Sequence, residues 1–335
     1  MAAVVAWKWL SARPNGVLAA LMVLQVHESD AVAQGKTLTS SEISGAIRCV
    51  VLVMELAFIS GGAFLLLLVT SVIGTLVRSL QHALLTAFEA SSMPEDTVVQ
   101  ICETATFGWG LVTFISCFFR QPKRDLVQKL TGFGWSDMKT CSISVMLHVA
   151  AVMMLVLLQP QTAAQVFVSW RNVETVMYRP DGSFATAKII QQLLLAPLKE
   201  ELFFRGTIEL VAINRLQSAK SSALISAVLF AAIHLANARH LGTQYSASYV
   251  AFQVLWAFLV GLYLALTLAV SGSMVKCLVL HVINNVFALG VSKTSAVDLA
   301  QPLVAFSMLV ALAIYFTAIS RQLQLFAAET GMKRS

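Results

Sequence analysis

The chain has 335 residues, of which 58% are hydrophobic and only 12% are charged, and its formal net charge is +6. Soluble domains carry about 25% charged residues, so this composition excludes a soluble globular protein and indicates an integral membrane protein. Basic residues in membrane proteins chiefly set the orientation, so the positive charge does not indicate a nucleic-acid partner, and none is expected. The partner that the composition requires is the lipid bilayer.

The first 48 residues are expected to form a segment in the cytosol or at the membrane surface. Lys8 and Arg13 precede an apolar run at 16–26, which is shorter than the roughly 20 residues that a crossing needs. The run is therefore predicted to be an interfacial helix. Cleavage as a targeting sequence is the alternative, because the AVA at 31–33 resembles a signal-peptidase site.

Eight apolar stretches follow that predict membrane-spanning helices, since they lack the strict alternation of barrel strands. The fold is thus expected to be all-α, a polytopic transmembrane bundle of about eight spans. The predicted spans cover 50–77, 104–119, 141–159, 186–214, 221–238, 249–270, 274–290 and 300–319. A turn is predicted in the connection before the fourth span, where Arg179-Pro180-Asp181-Gly182 combines a proline with a glycine.

The basic residues on the predicted loops give the orientation of the bundle. Of the 23, 15 fall on the side that holds both termini and five on the opposite side. Lys276, near the start of the seventh predicted span, is counted among the 15. Because Lys and Arg collect in cytoplasmic loops, both termini are expected in the cytosol.

The fourth span contains the stretch LAPLKEELFFRG, which places four ionisable residues in an apolar segment: Lys199, Glu200, Glu201 and Arg205. Exposed to lipid, these four would cost on the order of 10 kcal/mol, so they are expected to face an internal hydrated cavity. Pro197 favours an interrupted helix there, and a fresh helix beginning at it would place the glutamates in the first turns. The alternative is a charge cluster at a helix end misplaced by a few residues.

The spacing of these charges assigns different roles to the two glutamates. Glu201 and Arg205 are four residues apart, so they share a helical face and are expected to pair. Glu200 points about 100° away from that face and is therefore free for chemistry.

Two downstream helices carry histidines with companions at helical spacing. Phe230 and His234 stand four residues apart, as do His281 and Asn285. A lone histidine within a membrane is most often a contact between helices. Two such histidines downstream of a glutamate pair indicate a functional site instead.

Together these motifs resemble the three-motif signature of the CAAX prenyl protease and bacteriocin-processing (Abi, or CPBP) family of intramembrane endopeptidases. The resemblance covers about 188–290 and is type II CAAX prenyl endopeptidase-like, and the stretches EELFFRG, FAAIHL and HVINN are more similar to the broad prokaryotic-type and organellar members than to the eukaryotic prenyl-protease branch. It implies a membrane-embedded peptidase in which the first glutamate of the pair activates water. The site residues that it implies are Glu200, Glu201, Arg205, His234, His281 and Asn285.

The resemblance also implies a substrate class and a location. The substrate is expected to be a membrane-bound protein or peptide. The best-characterised branch removes the last three residues of isoprenylated CAAX proteins at the endoplasmic reticulum, whereas other branches process other peptides or have lost proteolysis. The protein is thus expected to be a multi-pass membrane protein of the endoplasmic reticulum if it processes CAAX proteins, and of an organellar or plasma membrane otherwise.

Peptide hydrolysis needs an activated water and a stabilised oxyanion, and these residues supply both. Glu200 is expected to take the proton, His234 to position the water, and His281 with Asn285 to donate hydrogen bonds to the oxyanion. Zinc held by Glu200, His234 and His281 is the alternative. A cofactor-free reaction is preferred, because the HExxH spacing is absent and the ligands come from three helices.

The domain organisation follows from these assignments. Residues 1–48 form the N-terminal segment, 49–184 the N-terminal transmembrane helices and loops, 185–290 the catalytic helices, and 291–335 the last span and the tail. A non-proteolytic scaffold of the same family is the competing function. A transporter is the third, although no internal repeat is visible.

Four further polar residues lie in or beside predicted spans. Glu55 and Glu103 are expected at membrane interfaces, and His148 is expected to make an interhelical contact. Glu209 is expected either to support the site or to lie on the helix surface.

Overall fold

The computed structural model describes residues 45–88, 95–118, 142, 145–151, 153, 170–216, 218–290 and 300–332, and almost all of these are helical. No strand occurs among them, apart from two isolated bridges, so the predicted all-α fold is confirmed. The interfacial helix predicted at 16–26 lies outside the described residues, and so do most of the third predicted span and both chain termini.

The helices are numbered in chain order. The first three are α1 (Gly45–Phe88), α2 (Glu95–Phe118) and α3 (Trp170–Met177). One continuous helical run then holds α4 (Thr186–Ile190), the π-helical turn π1 (Gln191–Leu195), α5 (Ala196–Phe203), the π-helical turn π2 (Phe204–Glu209) and α6 (Leu210–Leu216). The last four are α7 (Ala219–His234), α8 (Ala247–Ser271), α9 (Met274–Ala288) and α10 (Pro302–Met332), with a 3₁₀ helix (Leu235–His240) after α7.

Five of the described helices are long and apolar enough to cross a membrane. These are Leu52–Leu84 in α1, Val98–Cys117 in α2, Ala219–His240, Ala247–Ser271 and Pro302–Phe326. The seventh predicted span is the shorter apolar helix α9, and the fourth is the interrupted run from α4 to α6. Together with the partly described helix around 145–151, these elements fit a bundle of about eight helices.

Local sequence signals define the ends of the helices that carry the site. Ser218, Ser246 and Ser273 begin α7, α8 and α9, and each side chain accepts a hydrogen bond from a backbone N–H three residues later. Gly272 ends α8 in the left-handed conformation, with φ of 64°, which a residue without Cβ adopts at little cost. The chain can therefore reverse from α8 into α9 within two residues.

Helix α8 lies at the centre of the bundle, and half of its apolar window is buried. It packs against α7, α9 and α10 around a core that includes Tyr263, Leu264 and Tyr315. A second core lies where α1 and α2 meet α6 and α7. These two cores hold the helical run from α4 to α6 in place from both sides.

The turn predicted before the fourth span is present. The Arg179 carbonyl accepts from the Gly182 N–H over 2.9 Å, and Gly182 has φ of 79°. Asp181 accepts hydrogen bonds from the backbone and the hydroxyl of Ser183, which lower the pKa of its carboxyl group. The turn closes the connection from α3 to α4.

Two charged residues near the ends of predicted spans are buried in the protein. Glu55, expected at a membrane interface, is 2% exposed, because it lies on the face of α1 that also buries Leu52 and Ile59. Lys276, counted among the loop bases, is also 2% exposed, because it lies in the first turn of α9, which is packed against α8. The count of basic residues on the loops therefore includes one that lies inside the bundle.

Candidate active site

The two neighbouring glutamates lie on α5, between two π-helical turns. In the π turns π1 and π2 each backbone bond spans five residues instead of four, so each turn holds one extra residue. Such turns occur frequently at functional sites, because the extra residue rotates the side chains that follow. Glu200 and Glu201 are thus carried by a short α-helical segment between two irregular ones.

Pro197 does not begin a fresh helix, contrary to the expectation from the sequence. Leu195 and Ala196 before it have helical backbone angles, and the Ala196 N–H donates to the Gln191 carbonyl. The π-helical turn accommodates the proline within a continuous run. The glutamates therefore lie inside this run, and the alternative of a charge cluster at a helix end is wrong.

Glu201 and Arg205 form the predicted ion pair. Glu201 Oε1 lies 3.2 Å from Arg205 Nη1, and both side chains are fully buried. Arg205 Nη2 also donates to the backbone carbonyl of Gly261 on α8 over 3.1 Å. The guanidinium group lies 4.6 Å from the centre of the Phe230 ring, which adds a cation–π contact. Arg205 thus joins α5, α7 and α8.

His281 contacts both glutamates. Its Nδ1 donates to Glu201 Oε1 over 2.7 Å, and its Nε2 lies 3.6 Å from Glu200 Oε2. Because Glu201 holds one ring nitrogen, the orientation of the imidazole is fixed and Nε2 faces Glu200. The 3.6 Å gap is longer than a direct hydrogen bond and suits a bridging water.

His234 on α7 is held by the backbone of its own helix. Its Nδ1 lies 2.8 Å from the Phe230 carbonyl, and a carbonyl oxygen only accepts hydrogen bonds, so Nδ1 carries the proton. In the neutral ring Nε2 is then an acceptor. The Phe230 ring packs edge-on against both His234 and His281. The spacing of Phe230 and His234 therefore fixes the tautomer of the histidine.

Asn285 belongs to a chain of amide hydrogen bonds. Its Nδ2 donates to the Gln192 carbonyl over 3.2 Å, and its Oδ1 accepts from Asn284 Nδ2 over 3.3 Å. Asn284 Oδ1 in turn accepts from Trp256 Nε1 over 2.9 Å. This chain links α8, α9 and π1.

These side chains surround one cavity of about 290 Å³. Glu200 is 30% exposed, whereas Glu201 is fully buried, so only the first glutamate is open to it. The structure thus brings together Glu200, His234, His281 and Asn285 in the cavity wall and places Glu201 with Arg205 behind it. The other lining residues include Val176, Gln192, Tyr249, Phe252, Gln253, Trp256, Asn284 and Leu289.

The zinc alternative concerns the set of Glu200, His234 and His281. Within the described part of the chain, no group of three His, Cys, Asp or Glu side chains lies close enough together to hold a metal ion. In the structure, His234 contacts the Phe230 carbonyl and His281 contacts Glu201.

Sequence reasoning missed several residues of the site. Gly261 contributes through its carbonyl and through its lack of a side chain, and neither leaves a local signal in an apolar helix. Trp256 contributes its indole N–H to the amide chain, and a tryptophan in an apolar helix does not by itself indicate such a role. The only sequence signals for Asn284 and Gln192 are the paired polar residues in which they occur, NN and QQ, within apolar segments.

The structure also shows the surroundings of three other polar residues in the predicted spans. His148 makes the predicted interhelical contact, because its Nδ1 lies 2.6 Å from the Tyr315 hydroxyl oxygen. Glu209 is fully buried rather than on the helix surface, and among the described residues neither of its carboxyl oxygens has a hydrogen-bond partner. Lys199 is partly exposed, and no role follows from its position.

Comparison with known proteins yields one family match. Residues 182–287 match the model of the family described as type II CAAX prenyl endopeptidase Rce1-like, which is a peptidase family. No curated protein and no solved structure matches the chain. The matched range contains all three motifs and every residue expected in the site. The resemblance predicted from the motifs is confirmed by this match, in which residues 182–287 of the chain are similar to the Rce1-like type II CAAX prenyl endopeptidase family.

Proposed function

We propose that this protein is an intramembrane endopeptidase that hydrolyses a peptide bond of a membrane-bound protein. The observation that carries the proposal is the different placement of the two glutamates. Glu200 is 30% exposed in the cavity, 3.6 Å from His281 Nε2, while Glu201 is buried and paired with Arg205. One carboxylate is thus free for proton transfer, and its neighbour holds the site together.

Glu200 acts as the general base in this proposal. A water between Glu200 and the histidines loses a proton to the Glu200 carboxylate as its oxygen attacks the scissile carbonyl carbon. Nε2 of His234 accepts a hydrogen bond from the same water, because its Nδ1 proton is engaged by the Phe230 carbonyl. The water is then held by two acceptors, with its remaining lone pair directed at the substrate.

The tetrahedral intermediate collapses with return of the proton. The carbon–nitrogen bond breaks, Glu200 donates its proton to the departing amine, and the products are a new carboxylic acid, which then loses its remaining proton to solvent, and a new amine. His281 faces the reacting atoms with Nε2, and in its imidazolium form it donates from Nδ1 to Glu201 and from Nε2 to the oxyanion. Glu201 therefore orients His281 as the acid of a catalytic triad orients its histidine.

The substrate class follows from the family and the setting. A CAAX-type peptidase family implies a membrane-bound protein substrate. We propose an isoprenylated CAAX protein, which would place the enzyme in the endoplasmic reticulum membrane. Aromatic and aliphatic side chains on one wall of the cavity, among them Phe252, Trp256 and Leu289, support an apolar group beside the scissile bond.

The proposal is tested with purified protein in liposomes. A farnesylated CAAX peptide and the same peptide without the lipid are supplied, and mass spectrometry follows the loss of three residues. Wild-type protein is expected to cleave the farnesylated peptide, and Glu200→Gln is expected to leave it intact. Equal cleavage of both peptides would support the endopeptidase and reject recognition of the prenyl group.

The competing function is a non-proteolytic scaffold of the same family. It predicts no cleavage of either peptide by wild-type protein. It also predicts that Glu200→Gln still captures the membrane proteins that wild type binds and restores their abundance in cells lacking the protein. Shortened C termini in wild-type cells that are full length in Glu200→Gln cells would exclude it.

A further inference from the structure

The Gln192 carbonyl lies where its own helix provides no donor. Ala196 donates to Gln191, five residues back, and so sets the register of π1. In that register the donor to Gln192 is residue 197, which is proline and has no N–H. A carbonyl left without a donor inside a membrane protein is costly. Because Gln192 lines the cavity, either water or a side chain from another helix can supply the donor.

Asn285 on α9 is that donor. Its Nδ2 lies 3.2 Å from the Gln192 oxygen. The other end of the same amide is also engaged, because Oδ1 accepts from Asn284, which is itself bound by Trp256. The oxygen and one N–H of the Asn285 amide are thus bonded within the protein.

The bond joins the two elements that carry the reacting side chains. Gln192 precedes Glu200 in one continuous helical run, and Asn285 follows His281 by one turn of α9. This hydrogen bond therefore joins the helical run of the base to the helix of the histidine, in addition to the bond from His281 to Glu201. Between the two elements lies the 3.6 Å separation of Glu200 Oε2 and His281 Nε2.

We propose that Asn285 is a positioning residue that replaces the hydrogen-bond donor which Pro197 lacks, and that it thereby sets the distance between Glu200 and His281. This role differs from the oxyanion donor that the sequence predicts for Asn285. An oxyanion donor contacts the substrate and is needed for cleavage whichever residue occupies position 197. A positioning residue is needed only as long as residue 197 has no N–H, so the two roles differ in their dependence on Pro197.

The test is a double-variant cycle of Asn285→Ala and Pro197→Ala, read by single-turnover cleavage and by thermal melting in detergent. Asn285→Ala alone is expected to slow cleavage about tenfold or more, as loss of one buried hydrogen bond does. It is also expected to lower the melting temperature by a few degrees. Alanine at 197 restores an N–H for the Gln192 carbonyl. In the Pro197→Ala parent, Asn285→Ala should therefore change the cleavage rate and the melting temperature only slightly.

His281→Ala is the matched control, because its contacts do not involve residue 197. Its loss of cleavage should be the same with proline or alanine at that position. If Pro197→Ala also rescued His281→Ala, the rescue would be a general stabilisation and the proposal would be wrong. If Asn285→Ala is as harmful in the Pro197→Ala parent as in wild type, Asn285 acts on the substrate and the proposal is overturned.

A replacement variant and the separate use of the two measurements keep the test decisive. Should Asn285→Ala fail to fold, Asn285→Asp keeps the size of the side chain and loses the donor, and it enters the same cycle. The cleavage arm rests on the proposed function, whereas the melting arm does not. If wild-type protein cleaves no substrate, the proposed function fails. Non-additive changes in melting temperature would then still support the exchange of hydrogen-bond donors at Gln192. Additive changes would overturn it.

Discussion

His281 donates from Nδ1 to Glu201 Oε1 over 2.7 Å, and this hydrogen bond joins two residues that are 80 positions apart in the chain. It connects the third motif to the first. The same carboxyl oxygen also lies 3.2 Å from Arg205, so one buried atom orients both a histidine and an arginine. The second glutamate is therefore expected to affect stability and rate together.

The first prediction separates the two glutamates. Glu200→Gln keeps size and hydrogen bonding but cannot accept the proton, so cleavage should collapse while the melting temperature stays near that of wild type. Glu201→Gln leaves the buried Arg205 without its counter-charge and should cost about 3–5 kcal/mol of stability. Single-turnover cleavage and thermal melting of both variants check this. Near wild-type cleavage by Glu200→Gln would refute the assigned roles.

The second prediction concerns the histidines. His234→Ala should abolish cleavage as Glu200→Gln does, because the water loses its second acceptor. His281→Ala should lower the rate by roughly 100-fold to 1,000-fold, the range found when one oxyanion donor is removed. It should also lower the melting temperature, since Glu201 loses a buried partner. The control is His82→Ala on an exposed face of α1, which should cleave normally.

The third prediction concerns Gly261. An added Cβ there would lie 2.9 Å from Cδ1 of the Phe230 ring, so Gly261→Ala should destabilise the protein by about 1–3 kcal/mol. Cleavage should fall as well, because Phe230 packs against His234 and His281. Gly61→Ala on α1 is the matched control, as nothing lies within 4 Å of the added atom. That control should be neutral or stabilising, and equal melting of the two variants would contradict the prediction.

The fourth prediction is that cleavage requires no bound metal. Purified protein should retain its rate after exhaustive chelation and contain no stoichiometric zinc by elemental analysis. The reason is that Glu200 and the histidines already supply a base and an oxyanion donor. Loss of activity on chelation that zinc alone restores would instead assign Glu200, His234 and His281 to a metal.

The fifth prediction is that both termini face the cytosol. A glycosylation acceptor appended after Ser335 should stay unmodified in cells. The basis is the 15 to five division of basic residues between the two sides, which holds with Lys276 removed from the larger group. Efficient glycosylation would require the opposite orientation or an odd number of spans.

Local spacing predicted the parts of the site that lie within one helix. The Glu201–Arg205 pair and the two helical histidines follow from a period of 3.6 residues, which the sequence displays directly. Contacts between helices have no such signal. The bond from Arg205 to the Gly261 carbonyl depends on how closely π2 and α8 approach, and the sequence does not state that distance.

The irregular backbone of the site was also beyond sequence reasoning. Pro197 indicated an interruption, but a proline is compatible with a new helix, a kink or a π-helical turn. The structure contains the π-helical turn, because the chain can then stay helical on both sides of the proline. The partner of Asn285 follows from that choice, since only this register leaves Gln192 to be bonded by another helix.

The length of α1 has a consequence for the membrane around the protein. Its candidate span, Leu52–Leu84, holds 33 residues, which at a rise of 1.5 Å per residue is about 50 Å of helix. Bilayer hydrocarbon cores range from about 27 to 33 Å, so this length exceeds all of them. Arg78 and His82 lie near the C-terminal end of the span, so that end can extend past the lipid tails. Whatever part of the excess stays in the hydrocarbon core is accommodated by tilt of α1 or by local thickening of the bilayer beside it.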